Sequence, residues 1–421
     1  MTHLGGIADD FTGATDLATN LAGHGFDVVV VTERGLDTIE QDPSVRARLS
    51  EYEAVVVALK TRTAPVSVAV DASLRALGAL RALGAERIYD KYCSTFDSTD
   101  AGNIGPILDA LAEALEMDRT VVVPSFPDNG RTVRDGILEV HGVRLEDSSM
   151  RTHPLTPMTR SRVSELLRPQ TTRTIAEIHT ATVDAGAGAL LEAIAASDAD
   201  YFVVDATSDH HLSTIAAATA DARLISGGSG LALGLEPSAP RSAAPMAVTA
   251  GRRLILAGSA SSATQGQVRH AAERMPHRKV DVGALAIDPD GELDAIAAWA
   301  VQQPEDGPVL VHAVADPADV VSSPEAAAAV ERLLSALAVR LVGAEAGFTR
   351  LVVAGGETSG AVVSALGLDE LVIGPRIAAG VCWASGVTDR AGTGIAVNVA
   401  LKSGNFGDED LFSAAWKELH A

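Results

Sequence analysis

Residues 4–16, LGGIADDFTGATD, set a short apolar run directly before two adjacent carboxylates, Asp9 and Asp10, and then small and hydroxyl residues. An apolar run that ends on polar residues reads as a β-strand, and Thr12 as the cap of a helix whose N-terminus favours an anion. The succession recurs. DVVVVT, YEAVVVAL, ERIYDKY, TVVVPSF, TIAEIH, YFVVDA and ARLIS alternate with Ala/Leu-rich amphipathic stretches such as VSVAVDASLRALGALRALG at 66–84. That alternation predicts an α/β fold, a mostly parallel sheet flanked by helices. Residues 131–148, RTVRDGILEVHGVRLEDS, lack a helical period and carry Gly136 and Gly142 at turn positions, which predicts a hairpin or small β extension.

With 421 residues, 47% of them hydrophobic, the chain is too long for one ordinary domain. Residues 236–250, EPSAPRSAAPMAVTA, have a linker's composition and no period. Two domains follow as the expectation, 1–238 and 239–421. In the second the alternation restarts with RRLILAG, RKVDVG, GPVLVHA, RLVVAGG and ELVIGP, and DEDLFSAAWKELHA reads as a closing helix. No fixed-period repeat marks a solenoid.

The formal net charge of −22 repels polyanions, so neither nucleic acid nor an anionic membrane surface is an expected partner. No apolar run reaches the roughly 18–20 residues that span a bilayer, and the N-terminus lacks a basic segment followed by an apolar one. Cys93 and Cys382 match neither a disulfide framework nor a zinc spacing, which fits a reducing compartment, most simply the cytoplasm. The sequence leaves a homo-oligomer open. Lysine is scarce: of five, Lys91 and Lys402 lie in the most motif-like stretches.

In open α/β sheets ligands bind beyond the carboxyl ends of the strands. The polar residues at those predicted ends are Asp9 and Asp10, Lys60 with Arg62, Asp90 with Lys91, Ser125, Asp205 and Gly227-Gly228-Ser229-Gly230. Two carboxylates at one strand end can orient a polyol and accept a hydroxyl proton. The bland alternative makes one a cap or turn former and the other a surface charge. KYCSTFDST (91–99), followed by GNIGP, gathers Lys91, Ser94 and Asp97 in one loop, where cationic and hydroxyl donors suit a small carboxylate. Cys93 reads as a buried structural thiol, and His210-His211 as surface or capping residues, because adjacent side chains diverge.

GGSGLALG (227–234) mimics a dinucleotide fingerprint but sits at the end of its domain, away from the first strand. In the second domain AGSASSATQGQ (257–267) and AGGETSGAV (354–362) each follow a strand and lead into a helix, and LKSGNFGD (401–408) adds a third glycine loop. Backbone N–H groups in such turns cradle phosphates. No Walker-type G-x-x-x-x-G-K-[ST] is present.

Taken in order, GGIADDFTGATDLA, KYCSTFDST with GNIGP, VPSFPDNGRTV, HPLTPMT, GGSGLA, AGSAS, GGETSGAV and LKSGNFG resemble the four-carbon acid sugar kinases, and among them the group acting on 3-oxo-tetronate. The resemblance spans nearly the whole chain. It implies a sugar-acid domain followed by a nucleotide domain, with ATP phosphorylating the terminal hydroxyl of a four-carbon acid sugar. It implies that Ser259, Gly356, Glu357, Thr358, Ser359 and Gly404 hold ATP. Asp10, with Asp9 as the alternative, would accept the hydroxyl proton, while Lys91 and Arg62 hold the substrate carboxylate and Thr12, Ser94 and Asp97 complete the pocket. Mg²⁺ would arrive with ATP, and no residue is assigned as its ligand. The chain departs from the family pattern at Arg160, where an Asp is expected. Erythronate and threonate remain alternative substrates; an NADP-dependent oxidoreductase and a sugar-acid sensor are the other classes.

Overall fold

The computed structural model describes residues 3–152, 156–238, 246–321, 323–343, 345–388 and 394–419. The chain divides into two compact units, Met1–Ala244 and Pro245–Ala421. The expected join after residue 238 runs into 239–245, outside the described residues, as do the first three residues of HPLTPMT.

The first unit carries β1 (Leu4–Ala8), β2 (Val28–Thr32), β3 (Ala54–Ala58), β4 (Arg87–Lys91), β5 (Thr120–Val123), β6 (Arg131–Arg134), β7 (Ile137–Val140), β8 (Val143–Arg144), β9 (Ile175–Ile178), β10 (Tyr201–Val204) and β11 (Leu224–Gly227). Eight of them form a wholly parallel array in the order β2-β3-β1-β4-β11-β5-β10-β9. VVVVT and AVVVA are buried along their whole length, as strands covered on both faces must be. The two glycines of LGGIA set how closely the helices approach β1. A Cβ on Gly5 would stand 3.0 Å from Leu80 of the helix Val66–Ala82, and one on Gly6 would stand 3.1 Å from Leu17 of the helix Phe11–Gly23. The missing side chains let one helix seat on each face of the first strand. From β1 the chain goes outward to β2, returns to β3, then crosses to β4 on the other side, so the strand order reverses around β1.

The predicted β extension is a separate antiparallel sheet, β6-β7-β8. Its hairpin turns on Asp135 (φ 52°) and Gly136 (φ 75°). Both turn N–H groups donate to the buried Asp205 carboxylate, at 2.7 and 2.9 Å, and Thr180 adds its N–H and hydroxyl at 3.0 and 3.1 Å. Asp205 is therefore an anchor for the extension.

The second unit carries β12 (Arg252–Ala257), β13 (His277–Lys279), β14 (Pro308–His312), β15 (Phe348–Ala354), β16 (Glu370–Ala378), β17 (Val381–Thr388) and β18 (Ile395–Lys402) in the order β13-β14-β12-β15-β18-β17-β16. The first five in that order are parallel, while β17 and β16 run antiparallel. The antiparallel pair follows from its connection, since two residues cannot make the crossover that a parallel neighbour needs. Pro375, which has no N–H for the ladder, lies where the β16 register shifts between Ile373 and Arg376. The closing helix differs from expectation. It is a short helix, Leu411–Ala414, followed by a 3₁₀ turn, Ala415–Glu418. The Ala415 carbonyl is taken by the indole N–H of buried Trp383 at 2.9 Å, which diverts it from helical pairing. Among the described residues no helix is long and apolar enough to cross a membrane.

Replacing Asp205 by Ala strands four donors. The substitution is expected to cost about 3 kcal/mol, read as a lower denaturation midpoint, with faster amide exchange at Asp135 and Gly136 than elsewhere in the unit.

Candidate active site

Because β1, β3 and β4 are parallel and in register, Ala8 lies opposite both Ala58 and Lys91. Their following loops therefore start at one level. Asp9 ties them together: its N–H donates to the Lys91 carbonyl at 3.1 Å, and its carbonyl accepts the N–H groups of Thr61 and Arg62 at 3.0 and 3.3 Å. The Arg62 guanidinium then closes on both carboxylates. Nε and Nη2 grip Asp9 at 2.7 and 2.8 Å, and Nη2 also reaches Asp10 at 2.8 Å. Nη1 has no protein acceptor among the described residues. Asn103, inside GNIGP, locks the loop that carries Arg62 by donating to the carbonyls of Thr61 and Ala64 at 2.7 and 2.8 Å.

The two adjacent carboxylates differ in what they bind. Asp10 is the N-cap of the helix Phe11–Gly23, accepting the Gly13 N–H at 2.9 Å and the Thr12 hydroxyl at 2.7 Å. This corrects the expectation for Thr12. The strand stops at Ala8 and the helix starts at Phe11, so Asp10 meets the first turn and Thr12 lies inside the helix. Burial works to raise the Asp10 carboxyl, but Arg62, Lys91, Thr12 and Gly13 outweigh it and hold it below its ordinary value. At Asp9 burial wins over Arg62 and the carboxyl is raised. Burial also works against the Arg62 charge, yet Asp10 and Asp9 hold it firmly protonated.

A recess opens beside these groups, lined by Asp9, Arg62, Lys91 and Asp97 with Thr61, Asp90, Ser98 and Asn103. Asp10, Thr12 and Ser94 are not on its wall; Ser94 packs against the backbone of Gly228. Lys91 is buried and spends one N–H on the Tyr92 carbonyl at 2.9 Å, leaving two without a protein acceptor among the described residues. Asp97 accepts the Thr95 hydroxyl at 2.6 Å. Asp90 was legible as a polar strand end but not as a site residue. Burial pushes it up to about 7 against the pull of the Ser226 hydroxyl, which lies 3.0 Å away. Lys60 is exposed.

Other candidates resolve as structure. Burial and Asp97 push the Cys93 thiol up to about 12, which makes it a poor nucleophile. His210 is exposed, but His211 is buried, paired with Asp184 at 2.8 Å and accepting the Thr207 N–H at 3.1 Å. GGSGLALG forms a 3₁₀ turn whose glycines serve close packing. A Cβ on Gly230 would stand 2.3 Å from the Ser125 carbonyl, and one on Gly234 would stand 2.4 Å from that of Leu212. Among the described residues one grouping, Asp135, His179 and Asp205, has metal-like spacing, but Asp205 already accepts four protein donors.

In the second unit the register again aligns three loops, with Ala257 opposite Ala354 and Ala354 opposite Lys402. The helix Gly356–Leu366 has no side-chain cap, since its cap residue is Gly355, so its first-turn N–H groups face an open N-terminus. The turn takes its positive φ at Gly355, 121°, where a Cβ would also stand 3.3 Å from the Ser259 nitrogen. A Cβ on Gly404 would stand 2.6 Å from the Ser259 hydroxyl. Ser259, Gly355 and Gly404 thus come together in one cradle too close for a Cβ, and Gly356 opens the helix that follows it. Thr358 lies beneath it, against Gly258 and Gly355, and Glu357 is exposed. Ser359 turns inward, its hydroxyl on the Val353 carbonyl and its N–H on Gly355, and offers a ligand nothing. An uncapped helix N-terminus bordered by glycine and serine turns fits a polyphosphate.

The sequence matches a family described as a sugar-binding N-terminal domain over residues 4–235 and one described as a nucleotide-binding C-terminal domain over 254–412. The chain belongs to the four-carbon acid sugar kinase family. Among relatives in this family, a 3-oxo-tetronate kinase of Cupriavidus necator is 44% identical, covering 99% of this chain and 97% of its own. One of Brucella melitensis is 40% identical, covering 99% and 95%. A crystal structure of a Salmonella typhimurium LT2 protein, 39% identical, superposes with a TM-score of 0.85 and covers 100% of both chains. The family's two domains fall on the two units that carry the recess and the glycine cradle.

Gly13 separates a packing role from a helical one. A Cβ there would stand 2.2 Å from an Asp10 oxygen and 2.7 Å from the Lys91 nitrogen, whereas one on Gly78, in the helix Val66–Ala82, meets nothing within 4 Å. Gly78→Ala is expected to stabilise by about 0.5–1 kcal/mol. Gly13→Ala, the same change in another helix, is expected to destabilise by about 1–3 kcal/mol. Chemical denaturation of the two variants measures both.

Proposed function

We propose that this chain is an ATP-dependent kinase that phosphorylates the 4-hydroxyl of 3-oxo-tetronate, giving 3-oxo-tetronate 4-phosphate. The observation that carries the reading is the full-length similarity to relatives that bear that name. The recess that holds Arg62 and Lys91, and the glycine cradle, support it chemically. Transfer of a phosphoryl group asks little covalent work of a protein. It requires an in-line hydroxyl, a proton acceptor and neutralised phosphate charge.

Asp9 is the better proton acceptor of the two carboxylates. It lines the recess, its basicity is raised, and each of its oxygens carries one donor. Asp10 carries three donors and is less basic, so it serves the helix cap and holds Arg62 in place. Lys91, with two unspent donors, takes the substrate carboxylate. The Arg62 charge is largely spent on the two aspartates, and its Nη1 adds one directed hydrogen bond. In the other unit the first-turn N–H groups at Gly356, with Ser259 and Gly404, hold the ATP phosphates. ATP supplies the phosphoryl group, and Mg²⁺ enters with it, bound mainly by phosphate and water. Two cysteines, Cys93 and Cys382, in a chain of this length suit a reducing compartment such as the cytoplasm. An NADP oxidoreductase loses its main support, because the GGSGLALG glycines are spent on backbone packing.

An ATP-coupled assay of 3-oxo-tetronate, erythronate and threonate tests the reading. Turnover is expected with the first in preference to the others; no ADP release with any of them would overturn it. Asp9→Asn is expected to lower kcat by about two to four decades with little change in the KM for ATP. Asp10→Asn should cost about 1 kcal/mol of stability as a weakened cap and a smaller fraction of kcat. A reversed order of damage would return the base role to Asp10. Since the acceptor must be ionised and Asp9 is raised, activity should fall on acidification at a pH above the ordinary carboxylate range. That acid limb should vanish in Asp9→Asn. Lys91→Ala is expected to raise KM for the acid far more than KM for ATP.

A further inference from the structure

Two lysines end parallel strands, one at each candidate site, and they spend their protons differently. Lys91 keeps two donors available. Lys402, the last residue of β18, uses all three: on the Thr264 hydroxyl at 2.9 Å, the Ser403 carbonyl at 2.9 Å and the Gly404 carbonyl at 2.8 Å. It is fully buried. No carboxylate pairs with it among the described residues. The helix Ser262–Ala272 presents the Thr264 hydroxyl to it, and its own loop presents two carbonyls. No titratable group shifts it; burial alone lowers its pKa to about 7.

These contacts reach all three loops of the cradle. Thr264 stands in the first turn after the AGSAS loop, and its hydroxyl also donates to the Gly404 carbonyl at 2.9 Å. Ser261 donates to the same carbonyl. The Lys402 carbonyl accepts the Gly355 N–H at 2.8 Å, which fixes the GGETSG turn. The described peptides are all trans, so a carbonyl and the next N–H point to opposite sides. Pinning the Gly404 carbonyl toward Lys402 therefore turns the Asn405 N–H outward. Three acceptors require three protons. The neutral amine has two and would release one of them.

We propose that Lys402 is the positioning residue of the nucleotide site: its ammonium sets the three loops from below, and the phosphates of bound ATP supply the countercharge that the protein omits. The proposal rests on the reading of these loops as the ATP site. Free of nucleotide, burial favours the neutral amine as pH rises past about 7; bound phosphate favours the ammonium. Binding above that pH therefore takes up a proton, and affinity falls as pH rises, by at most about tenfold per unit.

The test is calorimetric titration with a non-hydrolysable ATP analogue and magnesium at about pH 6.5, 7.5 and 8.5, in buffers of different ionisation enthalpy, on the wild type, Lys402→Met and Thr264→Val. Magnesium keeps the analogue's phosphates deprotonated across this range. The wild type should take up a fraction of a proton that grows from pH 6.5 to 8.5, with affinity falling over the same range. Lys402→Met should bind about 10–100-fold more weakly at the lowest pH, without that proton uptake and with KM for the acid unchanged. Its thermal midpoint without ligand should hold or rise, since a buried unpaired charge is gone. Thr264→Val should weaken binding while keeping the pH dependence. A merely structural lysine predicts the opposite: a lowered midpoint, with full affinity and an unchanged pH profile in the folded fraction. That result, or a wild type that binds tightly with no proton uptake, overturns the proposal, and the wild-type arm decides it even if the Met variant does not fold. A wild type that binds no analogue at any pH instead sinks the nucleotide reading itself.

Discussion

A parallel sheet delivers every strand to the same edge, and both units are governed by that constraint. Where Ala8 faces Ala58 and Lys91, and Ala257 and Lys402 each face Ala354, the next residues of three chain segments must begin at one level and within about 10 Å of one another. Their polar groups cannot avoid contact. In the first unit the meeting groups are carboxylates and cations, and in the second they are glycine and serine turns around a helix N-terminus. Register, more than any one side chain, builds the site.

The two edges solve the burial of charge in different ways. At Asp9, Asp10, Arg62 and Lys91 opposite charges share one space, and the surplus of donors around Asp10 moves two neighbouring carboxyls in opposite directions. Two like groups with separated basicities can divide the work of one site. Around Lys402 no such partner stands among the described residues, so its charge is held by dipoles alone, which costs stability. Strand ends that look alike in sequence, DKY and LKS, thus serve unlike ends.

Much of this was legible because period and punctuation are local. All-valine runs, the glycine turns and the aperiodic 131–148 segment each carry their structure within a few residues. What was not legible depends on single-residue offsets or on distant partners. Asp10 and Thr12 are both good caps, and only the length of β1 decides between them. In the Gly355-Gly356 pair composition cannot say which residue takes the positive φ. Arg62 lies 53 residues from Asp9, and Asn103 41 residues from Arg62, so neither contact has a local signature. The GGSGLALG glycines resemble a phosphate loop because close packing and anion binding both require the absence of Cβ. The broken terminal helix is fixed by Trp383, more than thirty residues away in a different strand.

The chemical quietness of Cys93 has a practical side. Its thiol is half-buried and held almost wholly protonated at neutral pH, and the other cysteine, Cys382, is buried within β17. The native chain is therefore close to a blank background for maleimide or spin-label chemistry. A single cysteine placed at an exposed position in each unit, Lys60 in one and Glu305 in the other, would be the reactive pair. Labels there would allow the distance between the sugar-acid and nucleotide halves to be followed through a catalytic cycle, with no need to remove a native cysteine first.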